Sequence, residues 1–269
     1  MTAAHDGARM VLGPVVVDAR TAPQTVDAVA ARLDDGAAAP LAVGSVNLDH
    51  LHHFRRAQPL GRPGGPEWLW LADGAPIARR GRRLSGAAWP RVTGADLLPA
   101  LLEQCARTGA TVGFFGGQAE MHDALRAQLT VRYPGLRIAG TWAPERAEVT
   151  DDVRSAVLAA EVAAAGVDVL VVGLGKPRQE LWIDRHGAAT GARVLLAFGA
   201  AADFLAGSVR RAPKFMQDNG IEWLYRLGVE PRRLARRYLV QGPPALLALR
   251  RARLERPTST AASTQAPQP

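Results

Sequence analysis

Cysteine is almost absent from this chain, which has one, Cys105, among 269 residues. A single thiol excludes a disulfide within the chain and indicates a reduced, cytosolic protein. Long apolar runs are also absent, and none approaches the ~20 residues of a membrane-spanning helix. The apolar stretch from Val11 to Val17 is short and is interrupted by Gly13 and Pro14, so it does not resemble a signal peptide. We therefore expect a soluble protein, with helix packing as the role of Cys105.

Two motifs that hold nucleotides and metals are missing too. The chain has no Asp-x-Asp pair, the usual carboxylate ligands of a divalent ion on a nucleotide diphosphate. No predicted strand is followed by a complete Gly-x-Gly-x-x-Gly fingerprint. The histidine cluster of His50, His52 and His53 would offer two ligands on one helical face, whereas a catalytic zinc needs three. We expect neither a metal nor a cofactor.

Charge is distributed unevenly along the chain. Of the 33 basic and 25 acidic residues, 12 basic and 4 acidic ones lie in residues 210–256, so this segment carries the whole formal net charge of +8. Arg232, Arg233, Arg236 and Arg237 recur at spacings of three and four, which places them along one flank of a helix. Such a flank fits an anionic membrane surface or a nucleic acid. A solvated, salt-bridged helix is the alternative.

Apolar runs of strand length alternate with segments of helical periodicity. The strand candidates are Leu41 to Val46, Leu69 to Ala72, Thr111 to Phe115, Val167 to Val172 and Val194 to Phe198. This alternation predicts an α/β fold, with a largely parallel sheet and flanking helices. Thr93 and Asp96 mark the start of one helix, and the Tyr133-Pro134-Gly135 sequence ends another. The Pro-, Ser- and Thr-rich residues 257–269 are expected to be disordered.

The stretch from Val167 to Trp182, VDVLVVGLGKPRQELW, has the pattern of an anion site. A buried strand leads into Gly173 and Gly175, which let the backbone turn and a ligand approach closely. Pro177 suits the first position of a helix, whose free N–H groups and dipole favour an anion, with Lys176 beside them. An ordinary strand-to-helix turn is the alternative. The functional interpretation is favoured by two polar residues on the first helical turn, Gln179 and Glu180.

Ligands of such sheets bind beyond the carboxyl ends of the strands. The polar and glycine residues just after the predicted strands are Ser45, Asn47, Asp73, Gly74, Gly116, Gly117, Gln118, Gly199 and Asp203. Among them Asp73 is the best candidate for a general base, because a carboxylate at a strand end followed by glycine is open to a ligand. An Asp-Gly pair is also an ordinary turn signal, and that interpretation stays open.

Several of these residues stand in a fixed order with other motifs. The order is Asp73-Gly74, Arg91 with Gly94 and Asp96, Tyr133 to Leu136, Gly173 to Glu180, Asp203-Phe204, Arg211-Ala212-Pro213, Glu222 to Leu227, and Glu230-Pro231 with Arg233. With these motifs, residues 15–240 resemble the WecG/TagA/CpsF family of bacterial glycosyltransferases. The resemblance implies a Rossmann-like α/β core with a C-terminal helical appendage.

The resemblance also implies an activity. Family members are inverting enzymes that move a sugar, here of the N-acetylmannosamine type or a related hexose, from a UDP-sugar to a polyprenyl-diphosphate-linked sugar. They work peripherally on the cytoplasmic membrane face, in exopolysaccharide, common-antigen or teichoic acid synthesis. By this resemblance Asp73 is the base that deprotonates the acceptor hydroxyl. Ser45 and Asn47 match the family's Thr-x-Asn element, with serine replacing threonine.

The resemblance assigns the remaining substrate contacts to two parts of the chain. The predicted core, residues 1–207, supplies Arg91, Gly116, Gly117, Gly173, Gly175, Lys176, Gln179, Glu180 and Asp203. The predicted basic appendage, residues 208–256, brings four arginines toward the lipid diphosphate, namely Arg211, Arg226, Arg233 and Arg237. All strands are expected upstream of residue 208.

Two departures from the family pattern leave the donor sugar open. Residues 141–145 replace a Gly-Tyr-Phe-like element, and Ala75-Pro76 follows Asp73-Gly74 where glycine is common. A nicotinamide-dependent oxidoreductase on the same kind of sheet is the alternative enzyme. A nucleic-acid-binding protein that uses the basic C-terminal segment is the non-enzymatic alternative, although we expect no nucleic-acid partner. The acceptor sugar, the linkage position and the oligomeric state do not follow from the sequence.

Overall fold

The computed structural model describes residues 7–36, 38–54, 60–199 and 222–255, and positions 201, 205, 212, 213, 215 and 216. One sheet contains nine strands within this part of the chain: β1 Arg9–Leu12, β2 Val15–Asp18, β3 Leu41–Val46, β4 Glu67–Ala72, β5 Thr111–Gly116, β6 Arg137–Trp142, β7 Val169–Gly173, β8 Val194–Leu196 and β9 Arg253–Leu254.

The strands are arranged in the order β6-β5-β7-β8-β3-β4-β2-β1-β9. All pairs from β6 to β2 are parallel, whereas β1 is antiparallel to both β2 and β9. The chain therefore has the predicted α/β fold with a largely parallel sheet. Because the carboxyl ends of the parallel strands meet at one edge, that edge is where a ligand site is expected.

Helices connect the strands and continue beyond the last parallel one. They are α1 Ala22–Asp34, α2 Leu48–Phe54, α3 Ala75–Ser85, α4 Gly94–Thr108, α5 Ala119–Arg132, α6 Arg146–Thr150, α7 Asp152–Ala164, α8 Arg178–His186, α9 Glu222–Val229, α10 Pro231–Ala235 and α11 Gly242–Ala248. A π-helix, Arg236–Gln241, joins α10 to α11. None of the described helices is both long and apolar enough to cross a bilayer.

The predicted helix boundaries are set by local capping. Thr93 is the N-cap of α4, and its hydroxyl accepts from the N–H of Asp96 at 3.2 Å. Helix α5 ends at Arg132 with Tyr133 as its C-cap, and Gly135 then takes the left-handed φ of +90° that the turn requires. Helix α8 begins at Arg178, one residue after the predicted start at Pro177.

The core lies on both faces of the sheet. In β7, Val169 and Val171 pack on one face with α1, α4 and α5, whereas Leu170 and Val172 pack on the other with α7 and α8. This alternation follows from the two-residue period of a strand, and both faces are apolar because helices cover both. Cys105 is buried in α4 within the first of these clusters, as its predicted packing role requires.

Four strands, β1, β2, β6 and β9, were not predicted from the sequence. The stretch from Val11 to Val17 was compared above only with a signal peptide, which it does not resemble. In the structure it contributes to the hairpin of β1 and β2. Strand β6 is an edge strand without a fully buried residue, so it shows no apolar run. Strand β9 has only two residues and is recognised by its pairing with β1.

The position of β9 corrects one expectation, that every strand lies upstream of residue 208. Val11 of β1 pairs with Arg253, and Arg80 donates to the carbonyl oxygens of Arg250 and Ala252, both at 2.8 Å. Three small or apolar residues of this segment are buried in the core beside the hairpin, namely Ala245, Leu249 and Ala252. Residues 242–255 are thus part of the core packing, and the boundary at residue 208 remains a prediction. Deleting residues 208–256 would remove core residues as well as surface charge.

Candidate active site

The ends of β3 and β4 lie side by side because the two strands are parallel and paired in register. Val46 pairs with Ala72, so Asn47 and Asp73 leave the sheet next to one another. The N–H of Asp73 still donates to Val46 O at 2.9 Å, which extends the ladder one residue beyond the strands. Asp73 is therefore positioned by the sheet itself.

The carboxylate of Asp73 is held on one oxygen. Oδ2 accepts from Nδ2 of Asn47 at 3.1 Å and from Oγ of Ser45 at 3.3 Å. The amide of Asn47 is oriented in turn by the start of α2, where its Oδ1 accepts from the N–H of His50 at 3.0 Å. Within the described part of the chain no hydrogen bond reaches Oδ1 of Asp73. Oδ1 therefore keeps its lone pairs for a hydrogen-bond donor from outside the described residues.

The loop between β7 and α8 brings a buried ion pair to the end of β3. Nζ of Lys176 lies 2.5 Å from Oε1 of Glu180 and donates to Ser45 O at 2.9 Å. Nε2 of Gln179 donates to Ala197 O at 2.9 Å and lies 3.2 Å from the same oxygen of Glu180. The predicted residues of this loop thus lie together, with their polar groups bound to one another and to the ends of β3 and β8.

Glycines lie at the ends of β5, β7 and β8. A Cβ on Gly116, whose φ is +103°, would lie 2.6 Å from the carbonyl oxygen of Gly173. A Cβ on Gly199 would lie 2.9 Å from Cα of Gly173. Gly117 and Gly175 also have positive φ, but their surroundings are more open. The close approach of neighbouring strands therefore explains Gly116 and Gly199, and backbone turning explains the other two.

Arg91 lies at the same edge of the sheet. The N–H of Val92 donates to Ala72 O at 2.9 Å, so the segment that carries Arg91 runs alongside the end of β4. The side chain is half-buried, and it forms no ion pair with any residue that the structure describes. Its charge is thus not neutralised by an acidic residue of the described part of the chain, and a guanidinium of this kind can bind an anion.

The C-terminal helices reach the site through α2. Arg237 of the π-helix lies 3.5 Å from Oδ2 of Asp49, two residues after Asn47, and α11 packs against the same helix. Arg226 lies on α9 and is half-buried. Arg233 belongs to α10, but its side chain lies outside the described part of the structure, as do Asp203 and Arg211.

The histidine cluster does not form a metal site in the described part of the chain, which contains no group of three suitable ligands. His50 is fully buried and stacks on Phe54, with ring centroids 4.5 Å apart. Burial lowers its pKa well below the usual value, and the positive charges of Lys176 and His53 add to the shift. His50 is therefore a neutral packing residue of α2, close in the chain to Asn47.

Comparison with known proteins identifies the family. A family model described as the glycosyl transferase WecG/TagA/CpsF family matches residues 10–259. The chain belongs to this family. The resemblance inferred from the sequence is thereby confirmed. As a member of this family, the protein is a glycosyltransferase, which acts on a sugar donor and an acceptor.

Two residues at this candidate active site were not identified from the sequence. His122 bonds through Nε2 to Gly116 O at 2.8 Å and so holds the end of β5. Asp49 pairs with both His53 and Arg237. The spacing of four residues between Asp49 and His53 predicts that the two side chains contact each other on one face of a helix. The contact with Arg237 joins distant parts of the chain and has no local signature.

Proposed function

We propose that the protein is an inverting glycosyltransferase that moves a hexose, of the N-acetylmannosamine type or related, from a UDP-sugar to a polyprenyl-diphosphate-linked sugar. It would act on the cytoplasmic membrane face, in the synthesis of exopolysaccharide or teichoic acid. Family membership supports sugar transfer. The observation that carries the mechanism is the carboxylate of Asp73, held by Ser45 and Asn47 on one oxygen only.

One carboxylate is sufficient for an inverting transfer. Oδ1 of Asp73 takes the proton of the acceptor hydroxyl while the hydroxyl oxygen bonds to the anomeric carbon. The bond from that carbon to the diphosphate breaks on the opposite face, and its electron pair leaves with UDP. Ser45 and Asn47 stabilise the carboxylate before the proton moves.

Arg91 is the proposed partner of the departing diphosphate. Its backbone runs alongside the end of β4, which carries Asp73, and its side chain forms no ion pair among the described residues. A planar guanidinium binds phosphate oxygens in pairs and stabilises the charge that grows on a leaving group. With that charge supplied by arginine, we expect transfer to proceed without a divalent ion. The turns at Gly117 and Gly175 would border the donor.

Membrane contact is supported by the C-terminal helices. Leu239 and Val240 of the π-helix are 62% and 64% exposed, and Leu246 and Leu247 of α11 are also exposed. Exposed arginines lie nearby along the chain, at Arg232 and Arg236. Apolar side chains together with basic ones fit the surface of an anionic bilayer. On this proposal Arg211, Arg226, Arg233 and Arg237 face the lipid diphosphate.

The choice of ligand class is tested by calorimetric titration of the full chain. UDP, NADH and a short single-stranded oligonucleotide are compared at one salt concentration. We expect saturable binding of UDP alone, which Arg91→Gln weakens and the exposed control Arg107→Gln leaves unchanged. Binding of NADH or of the oligonucleotide without binding of UDP would overturn the proposal in favour of an oxidoreductase or a nucleic-acid-binding protein.

The stereochemical course is tested on the product. Transfer from an α-linked UDP-sugar should give a β-linked product, because one displacement inverts the anomeric centre. The anomeric configuration is assigned by NMR on a product made with a soluble acceptor analogue. A retained configuration would contradict the role given to Asp73.

A further inference from the structure

We propose that Lys176 and Glu180 form a buried clamp that positions the end of β3, and that Lys176 does not bind the donor diphosphate. The inference rests on the proposed function, because the group that the clamp positions is the base. The sequence places Lys176 among the residues that contact substrate, but its contacts favour a different role.

The first observation is the burial of the pair. The side chain of Lys176 is 10% exposed and that of Glu180 is 0% exposed, with Nζ and Oε1 2.5 Å apart. Two opposite charges removed from water stabilise each other, and either one left alone would be strongly unfavourable. The charge of Lys176 is thus already neutralised beside it, so a second anion would gain little from it.

The second observation is what the pair holds. Nζ of Lys176 donates to the carbonyl oxygen of Ser45 at 2.9 Å, which ties the loop before α8 to the end of β3. The hydroxyl of Ser45 contacts Asp73, and Asn47 follows two residues later. A shift of the Ser45 backbone would therefore move both donors that hold the carboxylate of Asp73.

The third observation is the anchoring of the clamp itself. Gln179 donates to Glu180 and to the carbonyl oxygen of Ala197, just beyond β8. The pair is thereby fixed between the ends of β3 and β8, which are neighbouring strands. Lys176 uses two of its three Nζ hydrogens on these internal acceptors. By contrast, Arg91 forms no ion pair within the described part of the chain.

The test uses the full chain with Lys176→Met, Glu180→Gln and the double variant. Removing one member leaves an unpaired buried group and can prevent folding, whereas the double variant removes both charges and keeps the side-chain volumes. The first readout is amide hydrogen exchange at His50 and Asp73, whose N–H groups report on Asn47 and on the end of β3. Thr111, bonded to Asp168 at the opposite edge, is the internal control.

In the double variant we expect exchange at His50 and Asp73 to be faster by about tenfold or more, with Thr111 unchanged. We also expect kcat to fall about 10- to 100-fold, because a small displacement of a base is costly. The Kd for UDP should stay within about twofold of the wild type, while Arg91→Gln raises it. This split between kcat and Kd separates positioning from binding.

Two results would overturn the clamp. One is unchanged exchange at His50 and Asp73 in the double variant. The other is a rise of more than about tenfold in the Kd for UDP, which would make Lys176 a diphosphate ligand. The exchange measurement needs neither donor nor acceptor. If the wild type does not bind UDP, the proposed function fails while hydrogen exchange still decides whether the clamp exists.

Discussion

At the scale of single residues, Asp168 joins three strands at the edge opposite the site. Its Oδ2 accepts from the N–H and the hydroxyl of Thr111 at 2.8 and 2.9 Å, and its Oδ1 accepts from Arg193 at 3.0 Å. Burial raises the pKa of Asp168, but the Thr111 hydrogen bonds and the Arg193 charge outweigh burial, so its pKa lies below the usual value. Ionised Asp168 therefore stabilises the fold.

Asp168→Asn should lower the free energy of unfolding by about 1–3 kcal/mol at pH 7, as for a lost hydrogen bond to a charged group. A group with a depressed folded-state pKa stabilises fully above its unfolded pKa of about 3.9. That stability is lost as pH falls through the folded-state pKa. Urea unfolding of both proteins between pH 7 and 3 measures the difference, which should shrink in acid. A difference that grows toward acid would show that the carboxylate is not stabilised by these contacts.

Residue positions at the site were predictable where one local rule placed them. Ser45, Asn47 and Asp73 were found because side chains that follow parallel strands converge at one edge. The bond from Lys176 to the Ser45 carbonyl could not be found, since it joins residues distant in sequence. A basic residue beside a glycine turn suggests a phosphate ligand, and only the burial of Glu180 shows that the charge is already neutralised.

At the scale of the elements, the approach of β5 to β7 depends on Gly116. A Cβ there would lie 2.6 Å from the carbonyl oxygen of Gly173, at a φ of +103° that other residues rarely adopt. We expect Gly116→Ala to destabilise the protein by about 2–4 kcal/mol, combining backbone strain with overpacking. Gly36→Ala is the matched control, because no atom lies within 4 Å of its Cβ.

Chemical denaturation of the two glycine variants provides the measurement. Gly36→Ala should stay within about 0.5 kcal/mol of the wild type, as exposed substitutions usually do. Equal midpoints for the wild type and Gly116→Ala would mean that β5 and β7 do not approach each other this closely.

Strands were predicted where both faces are covered. All six residues of β3 are buried, and its sequence LAVGSV has only one polar residue, Ser45, so the apolar character of the segment identifies the element. Strand β6 lies at the sheet edge and reads RIAGTW, with neither a run nor an alternation. Strand β9 is defined by its partner β1 and not by its own two residues. Edge elements of this kind depend on tertiary pairing, which local sequence does not encode.

At the scale of the whole molecule, the basic C-terminal segment has two kinds of arginine. Arg237 is half-buried and lies against Asp49, whereas Arg232 and Arg236 are exposed. Each exposed basic residue near an anionic bilayer contributes about 1 kcal/mol. We expect the double variant Arg232→Gln/Arg236→Gln to bind vesicles of phosphatidylglycerol and phosphatidylcholine about 10- to 30-fold more weakly.

The matched control is Arg82→Gln/Arg83→Gln on α3, which changes net charge equally at another exposed surface. Co-sedimentation with vesicles measures both variants, and raising the salt concentration should weaken wild-type binding too, since salt screens exposed charges. If the two double variants lost binding equally, net charge and not the C-terminal surface would be responsible.

The central claim is that Asp73 is the base of sugar transfer. Asp73→Asn keeps the shape of the side chain and its place beside Ser45 and Asn47, but it removes the group that accepts the proton. Asp123→Asn, on the exposed face of α5, is the matched control. The measurement is turnover of a UDP-sugar with a lipid-linked acceptor, made beside the Kd for UDP.

We predict that Asp73→Asn lowers kcat by about 10²- to 10⁴-fold, the usual loss with a general base. The Kd for UDP should stay within about twofold of the wild type, and Asp123→Asn should match the wild type in both quantities. If Asp73→Asn retained more than about half of the wild-type turnover, well outside the loss expected for a general base, Asp73 would not be the base.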